Sequence, residues 1–195
     1  MQRDQVLNHP AVKQSIDFVN KSFEENPHYS FNDWHIMADH SVQVMNYALQ
    51  IADGYPVQVD PLVIALAALF HDIGKVVHAD EQTLLEKHEE LGREVTNDLL
   101  NKLDLTEKQK QKIQDLFSLD DNSLEKQIVK DADYVDFFIN ETLHKAAKKW
   151  ADEENQNAHL KRKFDRFERM LPESKKLARP FYEKLKEEWE ADLNL

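Results

Sequence analysis

Cysteine is missing altogether from the 195 residues, which excludes disulfides, thiolate nucleophiles and thiolate metal sites. Any metal must therefore be held by imidazoles and carboxylates, and the lack of disulfides suits a reducing compartment. Glycine is nearly missing, with three residues, too few for the tight hairpins of an all-β fold. Positive charge is in deficit: 25 Lys and Arg against 37 Asp and Glu leave a formal net charge of -12. Such a chain repels polyanions, so neither nucleic acid nor an anionic membrane is expected as a partner. Long apolar runs are lacking as well. The longest, Leu62 to Phe70, has nine residues, less than half of the roughly 20 that a membrane-crossing helix needs. The first ten residues hold no apolar core of signal-peptide length, and a cytoplasmic location is the default expectation.

What the sequence does contain is helical period. Apolar residues recur at three and four, which predicts an all-α chain forming one domain over residues 1–195. A first helix is expected from about Ala11 to Glu25, with Val12, Ile16, Val19 and Phe23 on one stripe, ended by Asn26-Pro27. Asp33 or Asn32 can cap a second, reaching about Ala52, on which His40, Val44, Ala48 and Ile51 share the inward face. Asp60-Pro61 is a start signal for a helix through Phe70 that is apolar all round and belongs at the centre of the fold. Further helices are expected from Asp80 to Leu103 and from Thr106 to Phe117. Ser123 can cap a single long helix to about Trp150 with the stripe Ile128, Ala132, Val135, Ile139, Leu143, Ala146 and Trp150, leaving Asp133 on its flank. Beyond Ala151, two helices at about 158–170 and 173–192 carry Phe164, Phe167, Phe181, Tyr182 and Trp189. These aromatics either pack back on the body or bury against a second subunit in a homodimer. The short basic clusters Lys145 to Lys149 and Lys161 to Lys163 read as solvated faces or salt-bridge partners.

The densest chemical signal is Leu69-Phe70-His71-Asp72-Ile73-Gly74-Lys75. Neighbouring residues on a helix diverge by about 100°, so His71 and Asp72 can converge on one ion most easily at a helix end. Gly74 supplies freedom for that exit. Ionisable groups beside a dry helix are costly unless paired. His40 and Asp133 lie on or beside the inward stripes of their own helices, so three helices can present His, His-Asp and Asp to one point. Two imidazoles and two carboxylates suit one divalent ion, whether Mn, Fe, Co, Ni, Zn or Mg, with coordination positions to spare for water.

The order His40, His71-Asp72, then Asp133 within Ile128-Val129-Lys130-Asp131-Ala132-Asp133 resembles the H…HD…D signature of the HD-domain superfamily of metal-dependent phosphohydrolases, over roughly residues 35–145. The resemblance implies an HD-domain helical bundle, to which the two helices read beyond Ala151 add a C-terminal helical extension. It also implies His40, His71, Asp72 and Asp133 as metal ligands, Asp133 being preferred to Asp131. The implied activity is hydrolysis of a phosphomonoester or phosphodiester of a small molecule, commonly a nucleotide, by a metal-activated water. Ala38-Asp39-His40-Ser41-Val42-Gln43-Val44 is similar to the Glu-His-Ser segment of bacterial 5′-deoxyribonucleotidases, which carry a glutamate where this chain has Lys75. The segment Lys87-His88-Glu89-Glu90-Leu91-Gly92 is similar to one that supplies an extra ligand in two-metal relatives. The further histidine of those enzymes is missing from Ile113 to Ser118, which implies a single tightly bound metal.

Three residues are candidates for catalysis: Asp72, as ligand and orienter of the water; Lys75, able to reach a substrate phosphate or else a surface lysine; and His88, touching phosphate or water or else solvated. Asp131 and Asp136 support Asp133 or are solvated. His35, His144 and Lys145 are weaker candidates for the pocket wall, while His9, His28, His78 and His159 read as surface residues. The alternative to an enzyme is a non-catalytic module that senses a nucleotide or binds a metal on the same fold.

Overall fold

The computed structural model describes residues 1–26, 33–77, 81–117, 122–153 and 157–193; His28 and His78 lie outside these. Among the described residues the secondary structure is helical throughout, as the periodicity requires. A short α1 (Arg3–Leu7), which the apolar pattern did not predict, buries Val6. It is followed by α2 (Pro10–Glu25), opened by Pro10 at its first position and by His9, whose Nδ1 accepts from the Ala11 N–H at 3.2 Å. His9 is thus a half-buried capping residue rather than a plain surface one.

Asp33 caps α3 (Trp34–Ala52) by accepting from the His35 N–H, and Asp60 caps α4 (Pro61–Phe70) by accepting from the Leu62 N–H. Every residue of α4 from Leu62 to Phe70 is buried. A helix that is apolar all round is stable only when surrounded by protein, and α2, α3, α6 (Glu107–Asp115) and α7 (Leu124–Ile139) all pack on α4. Thr106 caps α6, and Gln109 on its first turn donates to the second oxygen of Asp60 at 2.9 Å, tying the two helix starts together. The chain leaves α4 through a 3₁₀ turn (Ile73–Val76) that lies against α5 (Glu81–Lys102). Among the described residues no helix is long and apolar enough to cross a membrane.

The single long helix expected from Ser123 to Trp150 is two helices. Ser123 does cap α7, its hydroxyl accepting from the Lys126 N–H. At Asn140 the backbone turns extended, and the Asn140 side chain accepts from the Leu143 N–H, starting α8 (Glu141–Glu153). Short polar side chains compete for the backbone in this way, and they break a helix where its continuation would not pack. The buried stripe of α8 is accordingly Leu143, Ala147 and Ala151, with Ala146 and Trp150 only half-buried.

The extension packs back on the body. Phe138 of α7 is the hub, with Phe164 and Phe167 of α9 (Asn157–Phe167) and Tyr182 of α10 (Pro172–Leu193) at ring-centroid distances of 5.7, 6.1 and 5.4 Å. Phe167 stacks on Tyr182 at 3.8 Å, and Trp189 meets Phe137 and Phe164. Phe181 stays exposed. Asp131, wholly buried, latches this arrangement by accepting from Arg166 at 3.1 Å and from the Leu171 N–H at 2.6 Å. The result is one continuous core running from Val6 to Leu193.

Candidate metal centre

The site is assembled where α4 ends. His71 is the last residue with helical backbone angles, and at Asp72 φ -109° and ψ 3° carry the chain out of the helix. That change of direction lets two adjacent side chains face one point, which they could not do inside a helix. Gly74 serves this arrangement differently from what the sequence suggests. Its role is closeness rather than conformational freedom: a Cβ there would overlap the carbonyl of His88 and stand 2.6 Å from the Gly92 nitrogen. The 3₁₀ turn therefore lies directly on the α5 backbone, and His88 Nε2 comes to 3.9 Å from Asp72 Oδ1.

His40 from α3 and His71 bring their Nε2 atoms to 3.3 Å from each other, and together with an oxygen of Asp72 these ligand atoms lie within 4.8 Å of one another. Asp133 of α7 lies beside this group of three, with Oδ1 at 3.3 Å from His40 Nε2 and 4.0 Å from His71 Nε2. The other ring nitrogen of each histidine is engaged. His40 Nδ1 is 2.6 Å from Asp136 Oδ2, and His71 Nδ1 is 2.8 Å from the Ala68 carbonyl. Since only an N–H can bond to these acceptors, the proton of each neutral ring belongs on Nδ1 and both Nε2 lone pairs face the same point. Such outward bonds to a carboxylate and a backbone carbonyl are how metal-binding histidines are oriented. The donor set fits a divalent cation.

Electrostatics agrees with that fit. Burial alone would lower the pKa of His40, but the Asp133 and Asp136 carboxylates outweigh it and raise the value from 6.5 to about 9. Burial likewise opposes ionisation of Asp72 and Asp133. Lys75 leads the groups that hold Asp72 well below the usual carboxylate range, and Lys163 leads those acting on Asp133. The site thus concentrates negative charge and attracts positive charge.

The remaining sequence candidates divide clearly. Lys75 is no surface lysine: its side chain is 18% exposed and its Nζ lies 2.6 Å from Asp72 Oδ2. Asp136 is buried against His40, whereas Asp131 serves the extension; two residues apart on a helix means about 200° of rotation, so Asp131 and Asp133 face different neighbours. His35 is exposed and stacks on Trp34. His144 lies edge-on to Trp189, among Glu141, Lys145, Glu188 and Lys184 rather than among the site carboxylates, and Lys145 pairs with Glu141. These three do not join the cluster.

Two residues read as ordinary surface in the sequence belong here. Lys163 of α9 is a salt-bridge partner, as expected of its basic cluster, but the partner is Asp133, at 3.9 Å from Oδ2. His159, one turn earlier on α9, is half-buried against Trp150 rather than at the surface. Burial, then Lys163, Arg162 and Lys75, lower its pKa from 6.5 to about 4. The spacing of three between Asp133 and Asp136 puts both on one helical face, which could have ranked Asp136 above Asp131 as the supporting residue. No spacing could have marked Lys163.

An all-helical fold with a His-His-Asp group at the exit of its central helix defines a candidate metal-binding helical protein. The particular family is the HD domain, to which this chain belongs: the family model matches residues 37–137, more than half of the chain and all of the cluster. No curated protein and no solved structure matches the chain.

Proposed function

We propose that the protein is a metal-dependent phosphohydrolase acting on a small phosphate ester, with nucleotides the favoured class and a single divalent cation held by His40, His71, Asp72 and Asp133. The observation that carries this reading is the facing pair of Nε2 atoms beside the Asp72 and Asp133 carboxylates, in a chain of the HD-domain family. When bound, a divalent cation supplies a more acidic water and withdraws charge from a phosphoryl oxygen.

The chain's own residues account for the rest. Asp136 and the Ala68 carbonyl hold the two imidazoles in the tautomer that donates a lone pair inward. Asp72 has two differently placed oxygens: Oδ2 faces the imidazoles and Lys75, while Oδ1 faces His88. It can therefore hold the cation and orient a water at once. Lys75, at its distance of 2.6 Å from Asp72, can turn from that carboxylate to an incoming phosphate. His88, about a quarter exposed and 3.9 Å from Asp72 Oδ1, would touch the phosphate or the water.

The test is direct. Protein stripped of metal and resupplied with Mn²⁺, Co²⁺, Ni²⁺ or Mg²⁺ is expected to hydrolyse some member of a panel of nucleotides and other phosphate esters. His71→Ala combined with Asp72→Ala should abolish that activity. Turnover that survives the double substitution would place the chemistry elsewhere. Nucleotide binding without turnover in every metal would favour a sensing module on the same fold.

A further inference from the structure

We propose that Lys163, carried by α9, is a phosphate-binding residue of this site, so that the C-terminal extension supplies one wall of the anion pocket. The inference rests on the cation-binding reading of the cluster and goes beyond it, because Lys163 lies outside the segment that the HD-domain family model covers.

Three observations carry it. Asp133 bridges two groups: Oδ1 faces the imidazoles at 3.3 and 4.0 Å, and Oδ2 faces Lys163 Nζ at 3.9 Å. Lys163 therefore stands one carboxylate's width from the facing imidazole nitrogens, within reach of an anion held against them. Second, Lys163 is held in place. Its Nζ lies 5.0 Å above the Tyr134 ring centroid and 4.7 Å above that of Phe137, and its side chain is only 19% exposed. Aromatic faces position an ammonium group without neutralising it.

The third observation is the balance of charge. Asp72 pairs with Lys75 and Asp133 with Lys163. A divalent cation held by the same two carboxylates would add two positive charges beside these ammonium groups, and a phosphate ester would bring compensating negative charge. Lys163 also belongs to the same field as Lys75: His159, one turn before it, is disfavoured from protonation by burial and then by Lys163, Arg162 and Lys75. Lys75 and Lys163, from separate elements, thus both act on this one imidazole. Lys75 approaches from the side of Asp72, and Lys163 from the side of Asp133. This pairing on both sides is what a phosphate held against a cation requires.

The experiment is titration calorimetry of inorganic phosphate into the full-length, Mn²⁺-loaded protein, comparing wild type with Lys163→Met and Lys163→Arg. Methionine keeps an unbranched apolar stem over Tyr134 and Phe137, and arginine keeps the charge. The expected result is a loss of about tenfold or more in phosphate affinity for Lys163→Met, with most of it restored in Lys163→Arg. Mn²⁺ affinity of Lys163→Met should be equal to or tighter than that of wild type, since a competing cation beside Asp133 has gone. Far-UV circular dichroism and melting temperature establish that each variant is folded. If folded Lys163→Met loads Mn²⁺ and binds phosphate as wild type does, Lys163 is only a counter-ion of Asp133 and the inference is overturned while the metal site stands. Should Lys163→Met fail to fold, Lys163→Gln decides: a loss of phosphate affinity of about tenfold with Mn²⁺ loading intact upholds the inference, and wild-type phosphate affinity overturns it. If wild type takes up no Mn²⁺ that depends on His71 and Asp72, the metal reading fails and this inference falls with it.

Discussion

The Nδ1 of His40 meets the Asp136 carboxylate over 2.6 Å inside the core, both side chains being at most 3% exposed. This contact turns the opposite nitrogen of the ring toward His71, Asp72 and Asp133. Asp136→Leu should therefore weaken divalent-metal binding by about 10- to 100-fold, the usual cost of losing such an orienting partner. Isothermal titration with Mn²⁺ measures it directly. An unchanged affinity in a folded variant would mean that Asp136 orients nothing.

Metal occupancy should be visible as stability. A cation that binds only the folded state, present at 100 times its Kd, adds about 2.7 kcal/mol. For a chain of this size that corresponds to a rise in Tm of roughly 5–10 °C. The rise should appear with Mn²⁺ or a related ion, disappear with a chelator, and be lost in His40→Ala. A Tm indifferent to all of these ions would argue against the centre.

Gly74→Ala tests the seating of the 3₁₀ turn on α5. The added methyl would overlap the His88 carbonyl, and both partners are backbone, so relief requires the turn and α5 to separate. A cost of about 1–3 kcal/mol is expected from overpacking of this kind. Because the separation also draws His88 away from Asp72, the phosphohydrolase activity proposed above should fall by more than the lost stability explains. Urea unfolding and specific activity, measured on the same preparation, separate the two effects.

His159 supplies a pH dependence with a definite sign. Its folded-state pKa of about 4 lies below its ordinary 6.5, so between these values the unfolded chain binds the proton that the folded chain refuses. The contribution of His159 to stability is complete above pH 6.5 and is lost as pH falls toward 4. Relative to wild type, His159→Gln should gain in Tm on acidification across this window. Parallel Tm curves for the two proteins would show that His159 is not held neutral.

Some of this was legible in the chain because it depends on neighbours in sequence. Asp33, Asp60, Thr106 and Ser123 are capping residues set before apolar periodicity, and each caps the helix it precedes. The run from Leu62 to Phe70 can be satisfied only at the centre of a protein, and it lies there. The break at Asn140 was not legible. The apolar stripe reads through it without interruption; what the structure shows is Asn140 turning extended and capping α8, with the change of direction burying Ala147 and Ala151 rather than Ala146 and Trp150.

The chemistry divides along the same line. Local sequence determined that α4 ends in His71-Asp72, and that His40 and Asp133 sit on or beside inward faces, because helical periodicity and helix-stop signals act over a few residues. Only the tertiary structure decided that Asp136 supports His40, that Asp131 instead latches the extension, that Gly74 is needed for contact with α5, and that Lys163 faces Asp133. Those pairings join residues as many as 96 positions apart. They are set by the packing of whole helices, and the identity of a side chain says nothing about which distant helix will come to lie beside it.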